Sequence, residues 1–150
     1  MLAGKLWIVF ALGSAILWGF GYALSEKVMK QNGISPEFLM VISGGIYLLL
    51  SIAIVTGSGR FQQEAQLLLE NKKLCLQLFT LSSAYVAGTW MIYKATFLKN
   101  ATLANLVEIS YPVFTALFAY LILKDVQLNW ATAFGGLLVL SGVGIIFLKS

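Results

Sequence analysis

Residues Leu6 to Leu24 read LWIVFALGSAILWGFGYAL, an unbroken apolar run with no charged side chain. A helix advances about 1.5 Å per residue, so a run of this length crosses the roughly 30 Å hydrocarbon core of a bilayer. It exceeds the ~7–15-residue core of a secretory signal, although Lys5 precedes it and Gly21-Tyr22-Ala23 loosely satisfies the cleavage rule. Trp7 and Trp18 inside it, and more runs of the same kind after it, also argue for a span.

Four further stretches repeat the pattern, giving helices at about 6–24, 38–56, 74–98, 101–123 and 130–148. Between them lie charge, turn and breaker signals. Ser25 to Glu37 holds Glu26, Lys27, Lys30, Asn32, Gly33 and Pro36, and reads as a loop. Gly57 to Lys73 is the longest connection. Its Phe61, Ala65, Leu68 and Leu69 recur at helical spacing among Gln, Glu and Lys, which predicts a short helix on the membrane surface; an ordinary solvated loop is the alternative. Lys99-Asn100 and Lys124 to Asn129 are short, so the third, fourth and fifth spans are expected as antiparallel neighbours.

Composition agrees: the 150 residues are 59% hydrophobic and 11% charged, against about 45–50% and about 25% in soluble domains. A single domain of this size buries only about 70% of its unfolded surface, so the excess apolar area faces lipid. The expected fold is an all-α integral membrane protein, a five-transmembrane-helix bundle. The net charge of +4 comes from basic residues at segment ends and not from a stripe, which sets nucleic acid aside as a partner. There is no histidine, and the lone Cys75 has no partner for a disulfide or a metal site; it reads as a small packing residue. No acidic dyad or Ser/His arrangement supports enzymatic chemistry, and no metal or cofactor is expected.

Lys5, Arg60, Lys72, Lys73 and Lys124 fall on one side of the membrane, and Lys27, Lys30, Lys94, Lys99 and Lys149 on the other. Orientation normally follows an excess of Lys and Arg on the cytoplasmic side, and here five face five. The balance predicts insertion both ways up, that is, dual topology.

Polar side chains in a lipid-bathed helix turn toward other helices or a cavity. Steps of three and four residues place Ser14, Trp18, Tyr22 and Ser25 on one face of the first span. Ser82, Tyr85, Thr89, Tyr93 and Thr96 share a face of the third, and Glu108, Tyr111 and Thr115 a face of the fourth. The second span has a weaker set, Ser43, Tyr47 and Ser51. These stripes are either a substrate-lining surface or interhelical glue. Trp7 and Trp130 read as interfacial anchors. The fifth span instead spaces small residues four apart, Ala131 to Gly135 and Thr132 to Gly136, the pattern of a close-packing helix.

Glu108 is the acidic residue well inside a span, where a carboxylate costs several kcal/mol unless paired, hydrated or protonated. Lys94 lies shortly before the Asn100 turn and Glu108 shortly after it, so in an antiparallel pair they share a depth and are expected to form an ion pair. Such a pair is structural, with snorkelling to the interface as the other fate of Lys94, or it is a site for proton exchange or a cationic group. Pro112 has no N–H to offer the Glu108 carbonyl and is expected to kink the fourth span there.

Four stretches carry a resemblance. Ala15-Ile16-Leu17-Trp18-Gly19-Phe20-Gly21-Tyr22 resembles an A-x-x-W-G-x-x-Y opening, and Tyr93-Lys94-Ala95 an aromatic-x-Ala ending. Ser110 to Leu121 is similar to a P-V-F-x-A-L pattern, and Gly135 to Val143 to a G-x-x-L-x-x-x-G-V close. In this order they resemble one repeat of the drug/metabolite transporter superfamily, in its EamA-like branch, across nearly the whole chain. Two departures stand: Lys124-Asp125 replaces a frequent Gly-Glu, and Glu108 is not a general signature of the family.

The resemblance implies a single EamA-like transmembrane domain over 1–150, one repeat of a ten-helix inverted-repeat transporter. Such carriers hold a central cavity lined mainly by the first, third and fourth helices of each half. No second copy of the W-G-x-x-Y or P-V-F motifs occurs in these residues, so alternating access would need an antiparallel homodimer or a paired homologous half. The expected function is secondary transport of a small metabolite or drug-like compound in a cell membrane, the inner membrane in a prokaryote. A non-transporting subunit that assembles with another membrane protein, and a small channel, are the alternatives. The expected site comprises Glu108, Lys94, Ser14, Trp18, Tyr22, Tyr85, Thr89, Tyr93, Tyr111 and Thr115, with Pro112 as the kink and Ala131, Thr132, Gly135 and Gly136 for packing.

Overall fold

The computed structural model describes residues 6–124 and 129–149, and every regular element among them is an α-helix. In order these are α1 (Leu6–Asn32), α2 (Pro36–Gly57), α3 (Phe61–Glu70), α4 (Lys72–Leu98), α5 (Ala101–Glu108), α6 (Tyr111–Leu123) and α7 (Trp130–Lys149). Five segments are long and apolar enough to cross a membrane: α1, α2, α4, α5 with α6 taken together as Ala101–Leu123, and α7. Large side chains along them, among them Leu49, Ile54, Ile122 and Phe147, stand exposed. Lipid is the solvent that makes such a surface stable, because within it every backbone N–H and C=O must be satisfied inside the segment, as in a helix.

The expected boundaries hold at α2, α4, the fourth span and α7 to within a few residues, and fail at the end of α1. The segment read as a loop from Ser25 continues as helix to Asn32. Charge there supports the helix instead of ending it: Lys30 Nζ lies 3.1 Å from Glu26 Oε1 one turn earlier, and a cation in the last turn complements the helix dipole. Gly33, with φ +69°, then breaks the helix in a conformation that a side chain would strain. Ser35 caps α2 by accepting from the Phe38 N–H at 3.2 Å, with Pro36 and Glu37 in the first turn.

The long connection forms helix α3, as its spacing predicts, and not an extended loop. Ser58 and Gly59 turn the chain back on α2, with Gly59 at φ +70°, and Asn71 alone separates α3 from α4. Asn71 accepts from the Leu74 N–H at 3.0 Å, and Asn100 caps α5 by accepting from the Leu103 N–H at 2.8 Å.

The chain divides into two compact units. The first holds α1 as far as Ala23, then the chain from Leu98 onward, with α5, α6 and α7; in it α7 packs on α5 and approaches α6. The second, Leu24–Phe97, holds the end of α1 with α2, α3 and most of α4.

The fourth span is broken where a kink is expected. Helix α5 ends at Glu108, and Ile109 and Ser110 form a turn before α6 begins at Tyr111. Around it the backbone tightens to three-residue steps, Ser110 N–H to the Val107 carbonyl at 3.2 Å and Val113 N–H to the Ser110 carbonyl at 3.1 Å. Pro112 has no N–H to continue the four-residue ladder.

The small residues of α7 divide by role. A Cβ at Gly136 would meet Val113 Cγ2 of α6 at 3.5 Å, an ordinary close contact, whereas the space at Gly135 is open and Ala131 is exposed. Thr132 departs from its expected packing role and belongs to the helix start: its N–H donates to Asn129 Oδ1 and its hydroxyl accepts from the Asn129 N–H, both at 2.9 Å.

Candidate functional site

The first unit assembles a site from α1 and the broken fourth span. Tyr22 is 6% exposed, and its hydroxyl donates to Glu108 Oε1 at 3.1 Å, joining residues 86 positions apart in the chain. Helix α1 positions Tyr22 because the whole apolar run is helical, and the Pro112 break positions Glu108 because it ends α5 at that residue. One turn earlier on α1, the Trp18 ring lies 5.5 Å from that of Tyr22 at an interplanar angle of 48°. Trp18 is 58% exposed, so it offers an open aromatic face leading toward a half-buried carboxylate. Ser14, one further turn along the same stripe, is also exposed.

Past the break, Tyr111 and Thr115 continue the stripe of the fourth span. Both are exposed, and the Thr115 hydroxyl donates to the Tyr111 carbonyl at 3.0 Å. Such back-bonding satisfies a hydroxyl in lipid and bends the helix slightly.

The pairing expected between Lys94 and Glu108 is replaced by a different one. Lys94 Nζ lies 2.8 Å from Glu37 Oε1, in the second unit, and the Trp90 indole N–H donates to the same oxygen at 3.1 Å. The ammonium also sits 5.9 Å from the centroid of the Trp90 ring. This cluster fastens the first turn of α2 to the last turns of α4. Depth along the membrane was the sole basis for joining Lys94 to Glu108, and depth says nothing about the direction a side chain takes around its helix. Glu37 and Trp90 lie outside the polar stripes of the sequence. The signal was available, since an acid in the first turn of the second span and a lysine near the end of the third come to the same side of the membrane.

Of the other residues expected on α4, Tyr85 is exposed, Thr89 and Tyr93 are half-buried, and Thr96 at the end of that stripe is fully buried. Among the described residues no group of His, Cys, Asp and Glu is arranged to hold a metal ion.

The fold that places these aromatic rings beside a carboxylate, at a break in a membrane-spanning helix, is that of an all-helical membrane protein with five spans. The model of the EamA-like transporter family matches residues 5–148, and the chain belongs to that family, whose members are membrane transporters of the drug/metabolite type. No curated protein and no solved structure matches the chain.

Proposed function

We propose that this protein is a secondary transporter for small metabolites or drug-like compounds, with Trp18, Tyr22 and Glu108 at the heart of its substrate site. The observation that carries the reading is the Tyr22 to Glu108 hydrogen bond beside the interrupted fourth span. Broken helices in transporters line cavities, and a carboxylate inside a span is retained for binding or coupling more often than for stability. Among the described residues of the first unit no lysine or arginine lies within ion-pair distance of Glu108. Its charge is therefore to be neutralised by a proton or by a cationic substrate group. Trp18 and Tyr22 supply apolar and cation-π contact, and Ser14, Tyr111 and Thr115 polar contacts along the same stripes.

In this reading one repeat is half of a symmetric carrier, and alternating access comes from rocking two halves about a site near the bilayer midplane. The balanced positive residues favour two copies inserted in opposite orientations, in a cell membrane. In the second unit Tyr85, Thr89 and Tyr93 of α4 offer polar and aromatic contacts of their own, and Lys94 serves by holding Glu37.

The test is reconstitution of the purified chain in liposomes. Saturable uptake driven by a proton or substrate gradient is expected, and Glu108→Gln, which keeps shape and removes charge, is expected to abolish the pH dependence of that uptake. Uptake by Glu108→Gln that matches the parent from acid to alkaline pH would remove Glu108 from the coupling step. Cysteine tags at each end, labelled from one side of the membrane, test dual insertion; labelling of a given end from a single side would end that part of the reading.

A further inference from the structure

We propose that helix α3 is an in-plane membrane anchor, with Phe61, Ala65, Leu68 and Leu69 dipped into the boundary between acyl chains and anionic headgroups. The first support is length. Ser58 to Arg60 can span at most about 10 Å, and they turn back on α2 through the Ser58 N–H to Ile54 carbonyl bond of 3.1 Å, so α3 starts close to the end of one span. Asn71 alone precedes α4, so α3 also ends close to the start of another. Both attachments lie at the same face of the membrane, and a ten-residue helix tied at both ends runs along that face for about 15 Å.

The second support is the distribution of side chains around the helix. At 100° per residue Phe61, Ala65, Leu68 and Leu69 fall within about one-third of the circumference, Gln62 and Glu64 flank that arc, and Gln63, Gln66 and Glu70 occupy the side away from it. Leu67 is the exception, lying among the polar residues. No residue of α3 is buried; on its apolar side Phe61 and Leu69 are exposed, Leu69 at 85%, and Ala65 and Leu68 are half-buried, so the protein leaves much of that side open. On the polar side the Gln66 amide donates to Glu70 Oε1 at 3.1 Å, holding that acid away from lipid.

Charge is the third support. Arg60 stands immediately before the helix, and Lys72 and Lys73 immediately after it, all three exposed. Cations at both ends of an amphipathic helix match a row of lipid phosphates, and their long stems let the charge stay at headgroup level while the apolar face goes deeper. Anchored in this way, α3 sets the depth at which α2 ends and α4 begins.

The test uses Cys75→Ser as background, removing the single exposed cysteine. Cysteines placed one at a time at Phe61 and Gln63, and at Leu68 and Gln66, form two pairs on opposite sides of α3. Each carries an environment-sensitive fluorophore in phosphatidylcholine vesicles containing phosphatidylglycerol. At positions 61 and 68, quenching by spin-labelled lipid is expected to exceed quenching by aqueous iodide severalfold, with the reverse at 63 and 66. Monodisperse elution of each labelled protein in detergent shows that it is folded, and two independent pairs guard against the loss of one variant. Equal iodide quenching at all four positions would overturn the proposal in favour of a solvated helix. Shielding of 61 and 68 from both quenchers would overturn it in favour of a protein partner; shielding that fades on dilution with lipid would identify that partner as a second copy.

Discussion

Replacing Pro112 by Ala tests whether proline itself imposes the break in the fourth span. At the break the ladder runs from Ile109 N–H to the Asn105 carbonyl at 2.9 Å, through the three-residue steps at Ser110 and Val113, with no donor at 112. Alanine restores one N–H that can meet the Glu108 carbonyl. A net intramolecular hydrogen bond contributes about 1 kcal/mol, and a proline inside a continuous helix costs up to about 3 kcal/mol. Against this, the freer unfolded chain of the Ala variant offsets ~0.4–1 kcal/mol. The expected balance is a gain of about 1–2 kcal/mol, or ~2–8 °C in thermal midpoint for a chain of this length. Thermal unfolding in detergent, followed by far-UV circular dichroism, reads the gain. A fused α5–α6 helix re-aims Glu108 relative to Tyr22, so liposome uptake is expected to fall as stability rises. A Pro112→Ala variant less stable than the parent would refute a proline-imposed break, and uptake unchanged despite a gain in stability would refute the role of that break in the site.

Lys124 ends α6 at φ +56°, a left-handed conformation that costs an L-residue about 1 kcal/mol and glycine nothing. Lys124→Gly is expected to exceed Lys124→Ala in thermal stability by about that amount, a comparison that cancels the loss of charge; equal midpoints would contradict the left-handed cap. Asn100→Ala removes the cap of α5 and is expected to cost about 1 kcal/mol, seen as a lower thermal midpoint in detergent. At the α2–α4 cluster, Glu37→Lys and Lys94→Glu each place like charges together and are expected to lower the thermal midpoint, while the double exchange recovers most of the loss. Failure of the double variant to recover any stability would show that the 2.8 Å pair is not what joins those helix ends.

The left-handed cap also explains a sequence departure. Where members of the family frequently end this helix with Gly, the backbone geometry at Lys124 is one that glycine adopts without strain. The lysine is tolerated at that position in part because a cation at a helix C-terminus interacts favourably with its exposed carbonyls.

By itself the sequence determined the number of spans, their approximate ends, helix α3 and the interruption beside Pro112. These are local properties: an apolar run long enough to cross lipid must satisfy its backbone within itself, and proline lacks a donor wherever it sits. The length of α1 was less legible, because Glu26 and Lys30 look like loop residues until their one-turn spacing is seen to be a stabilising pair. Tertiary structure alone decided the pairings. Charge and depth marked Lys94 and Glu108 as residues needing partners, but depth is one coordinate along the helix axis, and the rotation of each helix and the identity of its neighbour arise from packing. Packing assigned Glu37 and Trp90 to Lys94, and brought Tyr22 to Glu108.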